Sequence, residues 1–434
     1  MFKLAKSLFR RQPWPQLKFP TSGFKVVSEA VLFEEEQLEE FHRGAYYPVN
    51  IGDVFASKYQ VVGKLGFGVT STVCHHAYTT LKVFTKEGMD EDEYNMYDIL
   101  SKGNASHPGY NHVQTALDLF TIPRQGGEHR CLVQKPMWDS FRDLLNRNPA
   151  HRFTDELLKA GLSQVFLALD YLHTEAKIVH TDITADNILI DIEDQDILKA
   201  FVNAEMTTPS PRKVVDGKPI YATRQFGLPK EYGRVVLGDF GSAVRGDKPQ
   251  IHDAQPDVYR CPEVMLKTEW GYPADIWNVG AMIWDLYEDK HLFYGIPTEK
   301  RYLTRAHLAE LVAMLGPSPI NMLERGARSE GFFDGEGNWI AEIDIPQGLT
   351  LETSEENLHG EKKEEFLQFV RCMLQWRPED RWTAKELLGH PWIRGNSIDW
   401  DENDGMEVAL PRSKIFLHSI INCAESIVPR PSNK

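Results

Sequence analysis

Ile178-Val179-His180-Thr181-Asp182-Ile183-Thr184-Ala185-Asp186-Asn187-Ile188-Leu189 is the stretch on which the reading turns. One apolar pair leads into it and another leads out, so two short buried strands flank a polar cluster held at an edge. Asp182 can accept or orient a hydroxyl proton. Asn187, five residues on, offers an amide oxygen to a hard cation such as Mg²⁺. Further along, Leu237-Gly238-Asp239-Phe240-Gly241 adds a second carboxylate for a metal. Phosphoryl transfer needs little covalent help from a protein, but it needs a positioned acceptor, metal and phosphates. These residue types in this order suit that task.

Toward the N-terminus, Gly66-Phe67-Gly68-Val69-Thr70-Ser71-Thr72-Val73 follows one strand-like run and opens another. Glycines there let the backbone close over phosphates, because a Cβ would hold it away. The pattern is GxGxxS, and a tight hairpin is the competing reading. Lys82 lies in the apolar run Thr80-Leu81-Lys82-Val83-Phe84, where an ammonium needs a partner. A helix over residues 89–100 puts Glu93 on one face with Met96, Tyr97 and Leu100, and turns Glu91, Tyr94, Asn95 and Asp98 toward water. A Lys82–Glu93 pair would aim the ammonium at the α- and β-phosphates; a surface strand lysine is the alternative.

The chain has 434 residues, 42% hydrophobic and 26% charged, an ordinary globular balance. Acids outnumber bases, 63 to 48, giving a net charge of −15. Such a charge repels nucleic acid and attracts basic partners, although solubility alone accounts for it equally well. The five cysteines are scattered and never spaced CxxC, which argues against a disulfide framework or zinc site and for a reducing compartment. No apolar run is long enough to span a membrane. Lys3, Lys6, Arg10, Arg11, Lys18 and Lys25 all precede the first acid, Glu29. That start reads either as a mitochondrial presequence or as a frayed basic arm.

Residues 1–45 read as an extension, and residues 46–137 as a β-rich segment with strands near 59–65, 71–74, 79–85, 116–122 and 131–135. Residues 138–394 read as mainly helical. Thr154 caps a helix carrying Leu158, Leu162, Val165, Phe166, Leu169 and Leu172, and further helices fall near 274–289, 304–315, 363–374 and 383–389. Residues 195–236, rich in proline, read as an insert that is partly loop, and 395–434 as an irregular tail.

The order GxGxxS, Lys, Glu, HxDxxxxN, DFG, xPE across residues 59–394 resembles the eukaryotic protein kinase signature. Several details resemble the SR-protein kinases, especially fungal ones. Tyr47-Pro48-Val49-Asn50-Ile51-Gly52-Asp53 is similar to that family's YHPVxIGD, and His180-Thr181-Asp182-Ile183 matches its HTDI. The insert falls between Asn187 and Asp239, as in that family, and Cys131-Leu132-Val133, Leu315-Gly316-Pro317 and His390-Pro391-Trp392-Ile393 fit too.

The resemblance implies an α+β, bilobal fold: a small β-rich N-lobe with one regulatory helix and a larger, mainly helical C-lobe. It implies transfer of the ATP γ-phosphate to serine or threonine of basic, Arg/Ser-rich proteins, with ATP and Mg²⁺ as cofactors. Carried over, Asp182, Asn187, Lys82 and Glu93 are catalytic. Leu65, Gly66, Phe67, Gly68, Val73, Lys82, Gln134 and Met137 line the nucleotide, and Asn187 and Asp239 hold the metal. Glu263, in Cys261-Pro262-Glu263, should pair with Arg381, and Asp275 should tie the catalytic loop from below. No direct nucleic-acid partner is expected. A monomer in cytoplasm or nucleus is expected, with mitochondria the alternative from the basic start. Thr181 stands where an arginine usually clamps a phosphorylated activation loop, so activity without that phosphorylation is expected.

Three departures keep a pseudokinase scaffold in play. Thr184 replaces the lysine that normally touches the γ-phosphate, and Pro256 replaces the usual activation-segment threonine. Lys82 follows Gly68 by only fourteen residues, which suggests a truncated nucleotide lobe. His75-His76 there reads better as a turn than as a metal site.

Overall fold

β-branched and aromatic runs alternating with turn residues build a six-stranded sheet in the first part of the chain. Its strands are β1 (Val54–Phe55), β2 (Tyr59–Gly66), β3 (Val69–Cys74), β4 (Ala77–Val83), β5 (Ala116–Arg124) and β6 (Gly127–Gln134), in the order β1-β2-β3-β4-β6-β5. The computed structural model describes residues 15–42, 44–66, 69–74, 77–85, 91–124, 127–215, 217–296 and 301–395. One face of the sheet is packed by Tyr59, Val61, Leu81, Val83, Cys131 and Val133, and the Tyr59 and Phe120 rings stack at 5.7 Å. The helix α1 (Glu91–Ser101) buries Glu93, Met96, Tyr97 and Leu100, the face its spacing predicts. Three acids in its first turn complement the helix dipole.

The short Gly68–Lys82 interval does not truncate the sheet. β3 and β4 pair without interruption from Val69↔Lys82 to Cys74↔Ala77, and His75 and His76 between them lie outside the described residues.

Two compact units divide the chain. The first gathers the sequence up to Ser101, Gln114–Trp138 and Asp191–Gly233; the second gathers Lys102–Val113, Asp139–Ile190 and the chain from Arg234. The insert therefore belongs with the β-rich unit, not with the helical one that precedes and follows it in sequence. It is also more regular than its prolines suggest, with a helix Asp196–Thr207 and a hairpin of Arg212–Val215 with Lys218–Tyr221. The extension is not a free arm in its described part. Residues 25–27 lie alongside Arg212, with Arg212 N donating to Lys25 O and Val27 N to Arg212 O. The basic residues before Pro15 lie outside the described residues.

In the second unit, α2 (Phe141–Arg147) starts at a Ser140 capping box and α3 (Asp155–Tyr171) at Thr154, whose hydroxyl accepts from Leu157 N. α4 (Pro262–Leu266), which was not expected, is followed by α5 (Pro273–Tyr287), α6 (Thr304–Leu315), α7 (Glu361–Arg371) and α8 (Ala384–Leu388), close to the expected spans. α5 is buried nearly all round, and Trp277 and Trp284 are completely enclosed. Enclosed on nearly every side, it forms the unit's central post, and its polar residues Asp275, Asn278 and Asp285 are buried with the rest. No helix among the described residues is long and apolar enough to cross a membrane.

Candidate active site

Residues 180–187 are held in the second unit between a two-residue strand, Ile178–Val179, and the buried run that starts at Ile188. Ile178–Val179 pairs antiparallel with Val244–Arg245, which brings the segment after Asp239 alongside the loop's entry. Beneath the loop lies Asp275 on α5, fully buried. Its Oδ2 accepts from His180 N and its Oδ1 from Thr181 N, both at 2.8 Å, and His173 Nε2 lies 2.9 Å from Oδ2. Asn278, one turn along the same helix, donates to Ile183 O at 2.7 Å. A carboxylate and an amide on one face of a rigid helix thus satisfy backbone groups of an irregular loop that would otherwise be buried unpaired.

The His180 ring is completely buried and ties two strands of the site together. Its Nε2 donates to Gly238 O at 2.9 Å, and its Nδ1 accepts from Asp182 N at 3.3 Å. Gly238 N in turn donates to Asn187 O at 2.9 Å. The residues before and after the polar cluster are therefore locked to the glycine that precedes Asp239.

Asp182 and Asn187 meet directly. Asn187 Nδ2 donates at 2.9 Å to both the carbonyl and Oδ2 of Asp182. With its amide hydrogens turned to Asp182, the asparagine presents its oxygen as a hard ligand. Burial pushes the Asp182 carboxyl above the usual aspartate range. His180 and the Asn187 hydrogen bond oppose that rise, while the charges of Asp239 and Asp186 add to it. The carboxylate at Asp239 thus lies close enough to be felt at Asp182. Asp239 takes a left-handed backbone (φ 57°), and its Oδ1 accepts from Gly241 N at 3.3 Å. The Asn187 amide oxygen and the Asp239 carboxylate are the kind of oxygen ligands that suit Mg²⁺, which is shared with phosphates. No cluster of three or more His, Cys, Asp or Glu able to hold a metal occurs among the described residues.

Thr181 is 2% exposed and also left-handed (φ 68°), an unusual state for a β-branched residue. Its surroundings over-determine it: besides the N–H bond to Asp275, its hydroxyl donates to Ser242 O at 2.8 Å. Sequence reasoning took Thr181 only as a missing arginine. The bond it makes instead, and the His180–Gly238 and Asn278–Ile183 bonds, were not foreseen. For Asn278 a signal existed, because it stands one helical turn after Asp275.

The anticipated pair at the end of the segment is present. Arg381 Nη1 and Nη2 donate to the two oxygens of Glu263 at 2.6 Å each, with both side chains fully buried. The same guanidinium donates to Pro273 O and Gln375 O and lies 5.0 Å from the Trp277 ring.

The remaining predicted residues lie in the first unit. Lys82 is on β4 opposite Leu132 of β6, and its Nζ lies 4.8 Å from the Phe84 ring. Glu93 is 5% exposed on α1. Leu65 and Gly66 end β2, and Val73 on β3 pairs with Gln60 and Tyr78. Gln134 ends β6, paired with Thr80 and Ala116, and Met137 follows at the start of the next strand. Phe67 and Gly68 lie outside the described residues.

Comparison with known proteins agrees with this geometry. Residues 59–393 match the protein kinase domain. A serine/threonine protein kinase of Aspergillus fumigatus is 41% identical over 90% of this chain and 98% of its own length. The serine/threonine-protein kinase SRPK of Physarum polycephalum is 28% identical over 83% of this chain and 91% of its own. A solved kinase domain superposes with a TM-score of 0.61, 22% identity and coverage of 82% of this chain and 100% of its own, a likeness of fold. A kinase domain implies use of ATP and Mg²⁺ generally. The chain therefore belongs to the protein kinase family, as a protein serine/threonine kinase resembling the SR-protein kinases.

Proposed function

We propose that this kinase transfers the ATP γ-phosphate to serine in basic, Arg/Ser-rich proteins and needs no activation-loop phosphorylation to do so. The observation that carries the second half is the construction of residues 242–260. Only Ser242 and Tyr259 there bear a hydroxyl. Tyr259 is buried, its hydroxyl donating to Asp285 at 2.5 Å. Gln255 is buried as well: its Oε1 accepts from Cys261 N and its Nε2 donates to Ala274 O, both at 2.9 Å. Arg260 binds Asp257 at 2.8 Å and the carbonyls of Ala254 and Gln255 at 3.1 Å. Side chains supply the contacts that a phosphate would otherwise organise.

In this reading Asp182 orients the acceptor hydroxyl and takes its proton, and the upward pull of burial on its carboxyl favours that task near neutral pH. Asn187 and Asp239 would hold Mg²⁺, and Lys82 with Glu93 would hold the α- and β-phosphates. The metal, when bound, neutralises charge on the transferring group. Support for a basic substrate comes from the net charge of −15 and from relatives such as SRSF protein kinase 3 of Mus musculus. Thr184 and Pro256 favour a second reading, a nucleotide-binding scaffold, because a γ-phosphate contact is missing.

An Arg/Ser-repeat peptide and a neutral serine peptide, compared over a salt series, test the substrate class. Higher kcat/KM for the basic peptide, declining as salt rises, supports it. Equal turnover of the two at all salt concentrations refutes it.

A further inference from the structure

The first unit contains a buried charge cluster that the nucleotide reading does not use. Lys64, on β2 two residues before Gly66, is 8% exposed, and its ammonium donates to both oxygens of Glu35 at 2.7 and 2.6 Å and to Tyr221 O at 3.0 Å. Glu34 adds a contact at 3.4 Å and itself accepts from Thr223 Oγ1 at 2.9 Å. Beside this, Lys213, 1% exposed, pairs with Glu36 at 2.8 Å and donates to the carbonyls of Glu29 and Val31. Arg224 pairs with the buried Glu205 at 2.9 Å, and Arg224 N donates to Lys64 O at 2.9 Å. Three stretches far apart in sequence meet here: the extension, β2 and the insert.

The bonds of Lys64 and of Arg224 N bear on the same point of β2, while the Lys213 contacts tie the insert to the extension beside it. The ladder between β2 and β3 is irregular at Val61/Gly63 and again at Lys64/Gly66, so pairing alone holds this strand end loosely. The insert closes on it from the side. A Cβ at Gly63 would stand 2.6 Å from the Phe201 ring of the insert helix, so that position must be glycine for the helix to seat. A partly open pocket of about 270 Å³, lined by Lys64, Glu35, Val61, Tyr47 and Tyr221, adjoins this point. Rigidity at this place therefore rests on directional charge contacts, which fix geometry more sharply than apolar contact does.

We propose that residues 25–36 and the insert form one brace on β2, with Lys64 as a positioning residue that sets Leu65 and Gly66 for nucleotide binding. This rests on the reading that Leu65 and Gly66 meet the nucleotide. Lys64 touches neither acceptor nor phosphate in this account; it acts through the strand.

The test uses the full-length chain and separates KM for ATP from kcat and from KM for the peptide. Lys64→Met and Glu35→Gln are expected to raise KM for ATP by roughly tenfold or more, within the ~10²-fold that a 1 Å misplacement costs. Their kcat and peptide KM should stay within about twofold, an affinity loss without a transition-state loss. Lys64→Arg should restore the wild-type KM. The double variant Lys64→Met/Glu35→Leu, which leaves no buried charge unpaired, should fold and still show the raised KM. Lys199→Ala, at an exposed ion pair on the insert helix, is the control that should change nothing. An unchanged KM for ATP in the folded double variant would overturn the brace. So would kcat and both KM values worsening together in step with lost thermal stability. An inactive wild-type chain would instead sink the catalytic reading on which the brace rests.

Discussion

Replacing Asp275 by asparagine is the sharpest single test of how the catalytic loop is held. The carboxylate accepts from two consecutive backbone N–H groups, one per oxygen, at 2.8 Å each, with no exposure to solvent. An amide of the same shape has one oxygen only. Whichever way it turns, one of the His180 and Thr181 N–H groups faces an NH₂. One charge-assisted bond of about 1.5–3 kcal/mol is then lost, and a buried donor left unpaired costs about 1–3 kcal/mol more. Together these come to about 2.5–6 kcal/mol, shared between global stability and the position of Asp182, two residues on from His180. Urea unfolding should give a lower midpoint with an unchanged slope, and kcat should fall by about 10²-fold with a smaller change in KM. Asp275→Asn with wild-type kcat and stability within ~0.5 kcal/mol, the range of an ordinary surface change, would refute the reasoning.

Further expectations follow from the same contacts. Glu263→Gln strands the Arg381 guanidinium in a fully enclosed site, so unfolding should show a loss of about 3–5 kcal/mol, whereas a coupled Glu263→Leu/Arg381→Met variant should recover much of it. The Asp182 carboxyl is raised by burial, so in acid the rate should fall at a pH above the ordinary aspartate range, as a kcat–pH profile would record. The linked stability has the opposite sense: a group whose folded pKa is raised contributes stability at low pH and loses it as pH rises through that pKa. Asp182→Asn should therefore be inactive yet no less stable than wild type at pH 7, which thermal melts can check. Phosphatase treatment of the purified kinase should leave its specific activity unchanged, because residues 242–260 are organised by Gln255, Tyr259 and Arg260; loss of activity would contradict that.

Much of the site was legible because its residues are adjacent in sequence. Asp182 and Asn187 lie on one turn of loop, and the flanking apolar pairs announce the strands that hold them. The buried face of α1 followed from spacing alone, and Glu93 fell with Met96, Tyr97 and Leu100 as expected. Glu263–Arg381 was legible only through the family resemblance, since no local pattern joins residues 118 positions apart. Where the insert docks was not legible, for a physical reason. Its prolines mark turns, but Phe201, Lys213 and Arg224 find their partners on β2, on its neighbouring extension and within the insert itself, which no local periodicity reveals. The two strands on either side of His75-His76 fell where expected, whereas the suspicion of a truncated lobe came from a length comparison, which cannot see that β3 and β4 pair along their whole length. Thr181 illustrates a third case: the residue was noticed for what it lacks, whereas its hydroxyl bond to Ser242 appears only once the chain is folded.

The central claim is that this chain catalyses phosphoryl transfer although Thr184 and Pro256 depart from the family pattern. Transfer of labelled γ-phosphate from Mg-ATP to an Arg/Ser-repeat peptide measures it directly, with Asp182→Ala and Lys82→Met alongside. The account predicts steady transfer by the wild-type chain that both substitutions abolish. Mg-ATP binding without transfer to this peptide or to a generic protein substrate would contradict it and leave a nucleotide-binding scaffold.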